Sequence, residues 1–251
     1  MVITMEIGIN IVGLVLAICL ALVHIFASKT QWLAKIPQCW WMSIAGGVSI
    51  AYIFLDIFPE LSHAQEEILH SENALIDYLE HHVYLLALLG LAIFYGLEKL
   101  AMGSRSQRQV HHGEDSTHRG VFWIHVISFG IYNGILGYLL HEAENHGLIS
   151  CLILFFALAL HFVVNDVGLR EHHKQIYDHT GRWLLAGAIL FGWVLGEAFH
   201  LDGAAIAAIW ALVAGGIILN VLKEELPEEQ ESHFGMFLAG AAVYAVVLLA
   251  I

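Results

Sequence analysis

The residues with the most chemistry to offer lie where polar chemistry is hardest to keep. Residues 161–168 read HFVVNDVG and close a long apolar run, LISCLILFFALALHFVVNDVG. Burying such groups is unfavourable unless they are paired, and ionisable groups within apolar spans default to a functional reading. Residues four apart share a helix face, so His161 and Asn165 project together and Asp166 lies one position round. A neighbouring run, VFWIHVISFGIYNGILGYLLHEAE, offers His125, Ser128, Tyr132 and Asn133, then His141, Glu142 and Glu144. A third ends GWVLGEAFHLD, where Glu197 and His200 share a face by their three-residue spacing. Imidazole suits zinc and other first-row metals, while carboxylate and amide oxygens suit harder ions. The expected metal ligands are therefore His161, Asn165, Asp166, Asn133, Glu197 and His200. His125 and His24 read as packing residues, and Asp56 and Glu60 as interfacial ones.

Ligands in apolar runs need an apolar scaffold. The chain is 59% hydrophobic and 13% charged, against about 25% charged in a soluble domain. About 20 apolar residues cross a bilayer as a helix. Such runs fall at approximately 7–27, 38–58, 79–98, 120–140, 148–169, 183–200, 204–222 and 234–251, eight in all. They are too long for strands and lack period-two alternation. The expectation is an all-α membrane protein, residues 1–251 forming a single transmembrane domain embedded in the lipid bilayer. Cys19, Cys39 and Cys151 have no metal spacing and read as small buried hydrophobes. The first run follows Glu6 and no basic residue, so it is not expected to be a cleaved signal.

All ten Lys and Arg fall in or beside alternate loops. Basic loops stay cytoplasmic, which places both termini outside. Residues 60–82, rich in Glu and His and free of Lys and Arg, form either a solvated amphipathic loop or a cation-attracting outer vestibule. Two His clusters lie on the inner side: a His-rich loop over 101–118, which includes QVHHGEDSTHRG, and REHHKQIYDHTGR at 170–182. Such tracts bind metal loosely or are solvated linkers. The net charge of −13 goes with no nucleic-acid partner. A compact set of spans without a targeting peptide suits a bacterial inner membrane.

An internal echo relates AGGVSIAYIFLDIFPE (45–60) to AGGIILNVLKEELPE (214–228). Each opens on AGG, turns acidic and closes on Pro-Glu, and the two run in opposite directions through the membrane. That is the pattern of an inverted repeat, a transporter signature. Spans 1–3 would pair with spans 6–8 around a central pair, spans 4 and 5.

With these features the chain resembles the ZIP (zinc- and iron-transporter-like) family. GGVSIAYIFLDIFPE is similar to that family's second-span segment, FYGLEKL to its third helix before a His-rich loop, and AGGIILNVLKEELPEE to its seventh-span segment. The metal motifs depart from the family pattern. In YNGILG, Asn133 and Gly137 match, while Tyr132 stands for a His and Leu136 for a bridging acid. In HFVVNDVGL, His161 and Gly168 match, Asn165 and Asp166 hold ligand-type positions, and Phe162, Val164 and Leu169 replace an acid, a Pro and an Asp. Because Leu136 cannot bridge, the family's paired-metal site is not expected intact. A single site remains from Asn133, His161, Asn165 or Asp166, with Glu197 standing where the family places a span-six ligand.

The resemblance implies a transporter, not an enzyme. It would carry a divalent metal, zinc first among zinc, iron, manganese, cobalt and cadmium, by rocking one helix bundle against another. It also implies a homodimer. The alternatives are a ZIP-fold protein that binds metal or another ligand without carrying it, and a membrane-embedded metal hydrolase. The last lacks both HExxH and a nucleophile elbow.

Overall fold

The computed structural model describes residues 2–26, 38–69, 83–112, 117–145, 147–225 and 233–249. Among the described residues every regular element is helical. The α-helices are α1 (Val2–Phe26), α2 (Gln38–Tyr52), α3 (Phe58–Leu69), α4 (Val83–His112), α5 (Arg119–Asn145), α6 (Leu148–His173), α7 (Arg182–Ala198), α8 (Gly203–Asn220) and α9 (Phe234–Leu249). Single π turns join α2 to α3 (Ile53–Ile57), precede α7 (Tyr177–Gly181) and follow α8 (Val221–Glu225).

Five stretches are long and apolar enough to cross a membrane: Met42–Glu66, Val83–Val110, Arg119–Ala143, Leu148–His173 and Gly203–Lys223. They mark the chain, by length and composition, as a helical integral membrane protein. Two apolar stretches, Ile11–Phe26 and Phe234–Leu249, are shorter, and α7 has 17 residues. Large apolar side chains face outward along these helices, among them Ile131, Phe156 and Phe191, as expected where lipid replaces water as the solvent.

Part of the stretch expected as a loop over 101–118 is helix, because α4 continues through His112. Residues 101–112 hold no proline to stop it. The returning chain docks on this extension: the His118 amide donates to Ser104 Oγ at 2.8 Å, and Arg108 donates to the Thr117 carbonyl at 3.0 Å. Residues 113–116 of that stretch, residues 70–82 of the acidic segment and the Pro-Glu closing the second half of the echo lie outside the described residues.

The chain divides into two compact units: Met1–Lys29 with Gly96–His200, and Thr30–Tyr95 with Leu201–Ile251. The second unit contains both halves of the echo. Each carries a π turn soon after its glycine pair, Ile53–Ile57 in one and Val221–Glu225 in the other. Each also packs by a glycine. A Cβ on Gly47 would lie 2.0 Å from the Phe237 carbonyl oxygen of α9, and one on Gly215 would lie 1.8 Å from the Ala87 oxygen of α4. Only glycine permits helix backbones to approach so closely. Exchanging α2 with α8 and α9 with α4 maps one contact onto the other, the relation an inverted repeat requires. Asp202 starts α8 as an N-cap, its side chain accepting from the Ala205 amide at 2.8 Å.

In the first unit α5 and α7 run parallel in close contact. A Cβ on Gly192 would fall 1.8 Å from the Gly134 oxygen, and one on Gly196 would fall 2.7 Å from the His141 side chain. This register matters for the site.

Candidate functional site

A chain of buried polar groups crosses the first unit. α5 contributes Asn133, α6 contributes Asp166, α1 contributes His24, and the π turn after α6 contributes Tyr177; Tyr132 and His161 form a buried pair of their own on α5 and α6. His24, Asn133 and Asp166 are 1%, 0% and 2% exposed. Charged and amide groups so deep in an apolar body stay only if their hydrogen bonds are made.

They are made in one continuous path. The Asn133 amide nitrogen donates to the Phe129 carbonyl at 2.7 Å. That contact orients the amide, since the flipped form would set two oxygens against each other, and it turns Oδ1 towards His24. His24 Nε2 lies 2.8 Å from this oxygen, while Nδ1 lies 2.9 and 3.1 Å from the two oxygens of Asp166. Both ring nitrogens face acceptors, so both donate in this arrangement. The ring stacks on Phe162 with centroids 4.4 Å apart at 28°.

Tyr177 completes the path by donating its hydroxyl to Asp166. It returns to α6 through a sharp reversal. Lys174 takes a left-handed φ of 51°, and the Tyr177 amide donates to the Lys174 carbonyl at 3.1 Å. Burial, and then the Asp166 carboxylate, push the phenol above its ordinary range, which keeps it a donor.

Of the six expected ligands, Asp166 and Asn133 are brought together, with the His24 ring between them. His161 lies buried on the same helix as Asp166 and pairs through Nε2 with the Tyr132 hydroxyl at 3.0 Å. Asn165 is buried, and its Nδ2 has no hydrogen-bond partner among the described residues. Glu197 and His200 do not join this group. The α5–α7 register sets Gly196 against His141, so Glu197 sits level with His141 and faces its Nδ1 at 3.9 Å. That is two turns, about 12 Å, beyond Asn133 along the helix. His200 is exposed in the link after α7. Among the described residues no three His, Cys, Asp or Glu side chains form a group that could hold a metal ion. A cation at Asp166 and Asn133 would instead use one carboxylate and one amide oxygen, with an imidazole at hand.

Two members of the path were not expected. His24 read as packing, although it is an imidazole in an apolar run and so belongs to the class of residue that drew attention to His161. Tyr177 had no periodic signal, since it follows a helix end and a reversal.

A second polar chain lies nearer the start of α5. His125 Nε2 donates to the Leu97 carbonyl at 2.6 Å, which leaves Nδ1 to accept from His173 Nε2 at 3.1 Å. His173 Nδ1 then accepts from the Thr117 hydroxyl at 2.5 Å. Each donor and acceptor has one consistent role, with both rings neutral. His172 reaches Glu98 at 3.1 Å beside it. The histidines of 170–182 are thus partly built into the helix bundle.

No protein-family model matches the chain, and no curated protein or solved structure matches it.

Proposed function

We propose that this chain is a ZIP-like membrane transporter of a divalent metal ion, with Asp166 and Asn133 at the core of its transport site and His161 one to two turns away on α6. The observation that carries the reading is Asp166: a carboxylate 2% exposed, within a membrane-spanning helix, beside an amide and an imidazole. Such a group is retained in a span when it serves a pathway for ions or protons. The nitrogen and oxygen donors favour zinc, with iron, manganese, cobalt and cadmium as further cargo. The glycine contacts and π turns shared by the two halves of the echo support a repeat architecture. The inner face would be the one carrying the His-rich segments, and both termini would lie outside.

A second reading has its own observation. His24 already satisfies Asp166 and Asn133, which fits a ZIP-like protein that binds a ligand without carrying it. Flux separates the two. The full chain is reconstituted in vesicles loaded with a metal-sensitive dye, and each of the five metals is added outside. Transport predicts saturable uptake of at least one metal, abolished by Asp166→Ala in a variant that remains monodisperse. Binding without flux selects the second reading, and neither binding nor flux removes both.

A further inference from the structure

We propose that the imidazole of His24 is a built-in occupant of the cation site, holding the place between Asp166 and Asn133 until a metal ion displaces it. The inference rests on the reading of those two residues as cation ligands. Its geometric basis is the pair of contacts at opposite edges of one ring: Nδ1 on the Asp166 carboxylate at 2.9 Å and Nε2 on Asn133 Oδ1 at 2.8 Å.

Those two oxygens are the ones a metal would need. A ring that donates on both sides offers them what a cation offers, positive electrostatic potential with no competing lone pair. Asn133 cannot evade it by turning, because Phe129 holds the amide. The ring cannot tilt freely, because Phe162 stacks against one face. Phe162 and Leu136 beside the group are apolar and fully buried. Among the described residues Asp166 is the carboxylate that meets the ring, and one donor ring meets both it and the amide. His24 lies in the last turn of α1, two residues before the helix ends at Phe26. In the same turn the neighbouring Ile25 carbonyl accepts from Arg182 at 3.3 Å, so the ring leaves the site by rotating its own side chain and the turn stays tied.

The occupant competes with cargo; it does not ligate it. This separates His24 from His161 and gives opposite signs for its removal. Zinc binding to the purified full chain is measured by calorimetry for the wild type, His24→Ala, His24→Arg and His24→Ala with Asp166→Asn. His24→Ala is expected to bind zinc at least tenfold more tightly than the wild type. The added affinity should vanish in the double variant, so that zinc held by other histidines is subtracted. His24→Arg, a permanent cation on the same helix turn, should remove the Asp166-dependent binding altogether. If His24→Ala aggregates, His24→Gln serves in its place, since it keeps a donor for Asp166 and still vacates one edge of the site. Its binding should also be tighter than wild type, by a smaller factor. Weaker binding in His24→Ala or His24→Gln would overturn the proposal and make His24 a ligand, leaving the metal reading intact. Zinc binding unchanged across every variant would overturn the proposal and remove Asp166 from the metal reading as well.

Discussion

The α5–α7 contact offers a quantitative test of how packing places the site. An alanine at 192 would put its Cβ 1.8 Å from the Gly134 carbonyl oxygen, 2.6 Å from its carbon and 2.8 Å from its Cα. All three are backbone atoms, so no side chain can swing aside. The helices must part by more than an ångström to restore ordinary contact. Overpacking of this kind costs about 1–3 kcal/mol, and a rigid backbone partner puts it at the upper end. Replacing a helical glycine by alanine returns about 1 kcal/mol of propensity. The net loss is about 2 kcal/mol, which for a chain of this size lowers Tm by about 4–8 °C. Gly187 lies on the same helix with nothing within 4 Å of its Cβ position. Gly187→Ala should therefore hold or raise Tm, and the pair controls for propensity. The functional consequence follows from Asn133, the neighbour of Gly134. A shift of more than an ångström breaks its 2.8 Å contact with His24, so under the proposed transport function Gly192→Ala should disturb metal uptake while Gly187→Ala does not. Thermal unfolding in detergent followed by tryptophan fluorescence reads the first effect, and vesicle uptake the second. A Gly192→Ala protein as stable as Gly187→Ala would refute the packing argument and with it the register that sets Glu197 apart from Asn133.

Two further perturbations probe the polar chains. The Tyr177 phenol is held above its ordinary pKa by burial and then by Asp166. The stability this represents is fully present below the unfolded value of about 10 and is lost as pH rises beyond it, because only the unfolded chain then releases the proton. Above pH 10 the wild type should lose stability more steeply than Tyr177→Phe, by about 1.4 kcal/mol per pH unit; equal slopes in alkaline denaturation would contradict the buried donor role. In the second chain, Thr117→Val removes the donor to His173 Nδ1 and leaves a buried nitrogen unpaired, at a cost of about 1–3 kcal/mol. Thr117→Ser should recover most of that loss in denaturant titrations, and no difference between the two variants would mean that the 2.5 Å contact contributes nothing.

What could be read in advance divides along the range of the interaction. Apolar runs are local, and each expected span overlaps helix among the described residues, five of them long and apolar enough to cross a membrane. The echo between 45–60 and 214–228 is also local, and its two halves share both a π turn and a glycine contact. The candidate site was legible as far as single helices reach: Asp166 and His161 share α6 through their spacing alone. The rest depended on distances along the chain that no spacing encodes. His24 meets Asp166 across 142 residues. Tyr177 is only 11 residues from Asp166, but the path runs through a left-handed Lys174, a conformation that few sequences announce. Glu197 stands apart from Asn133 for the complementary reason. Its helix was placed correctly, and its height on that helix was decided by where backbone meets backbone at Gly134 and Gly192. A ligand set read from motifs specifies residue types on separate helices; the glycine register decides which of them share a level. Removing that register, and not any ligand, is therefore the perturbation that should move the greatest number of site residues at once.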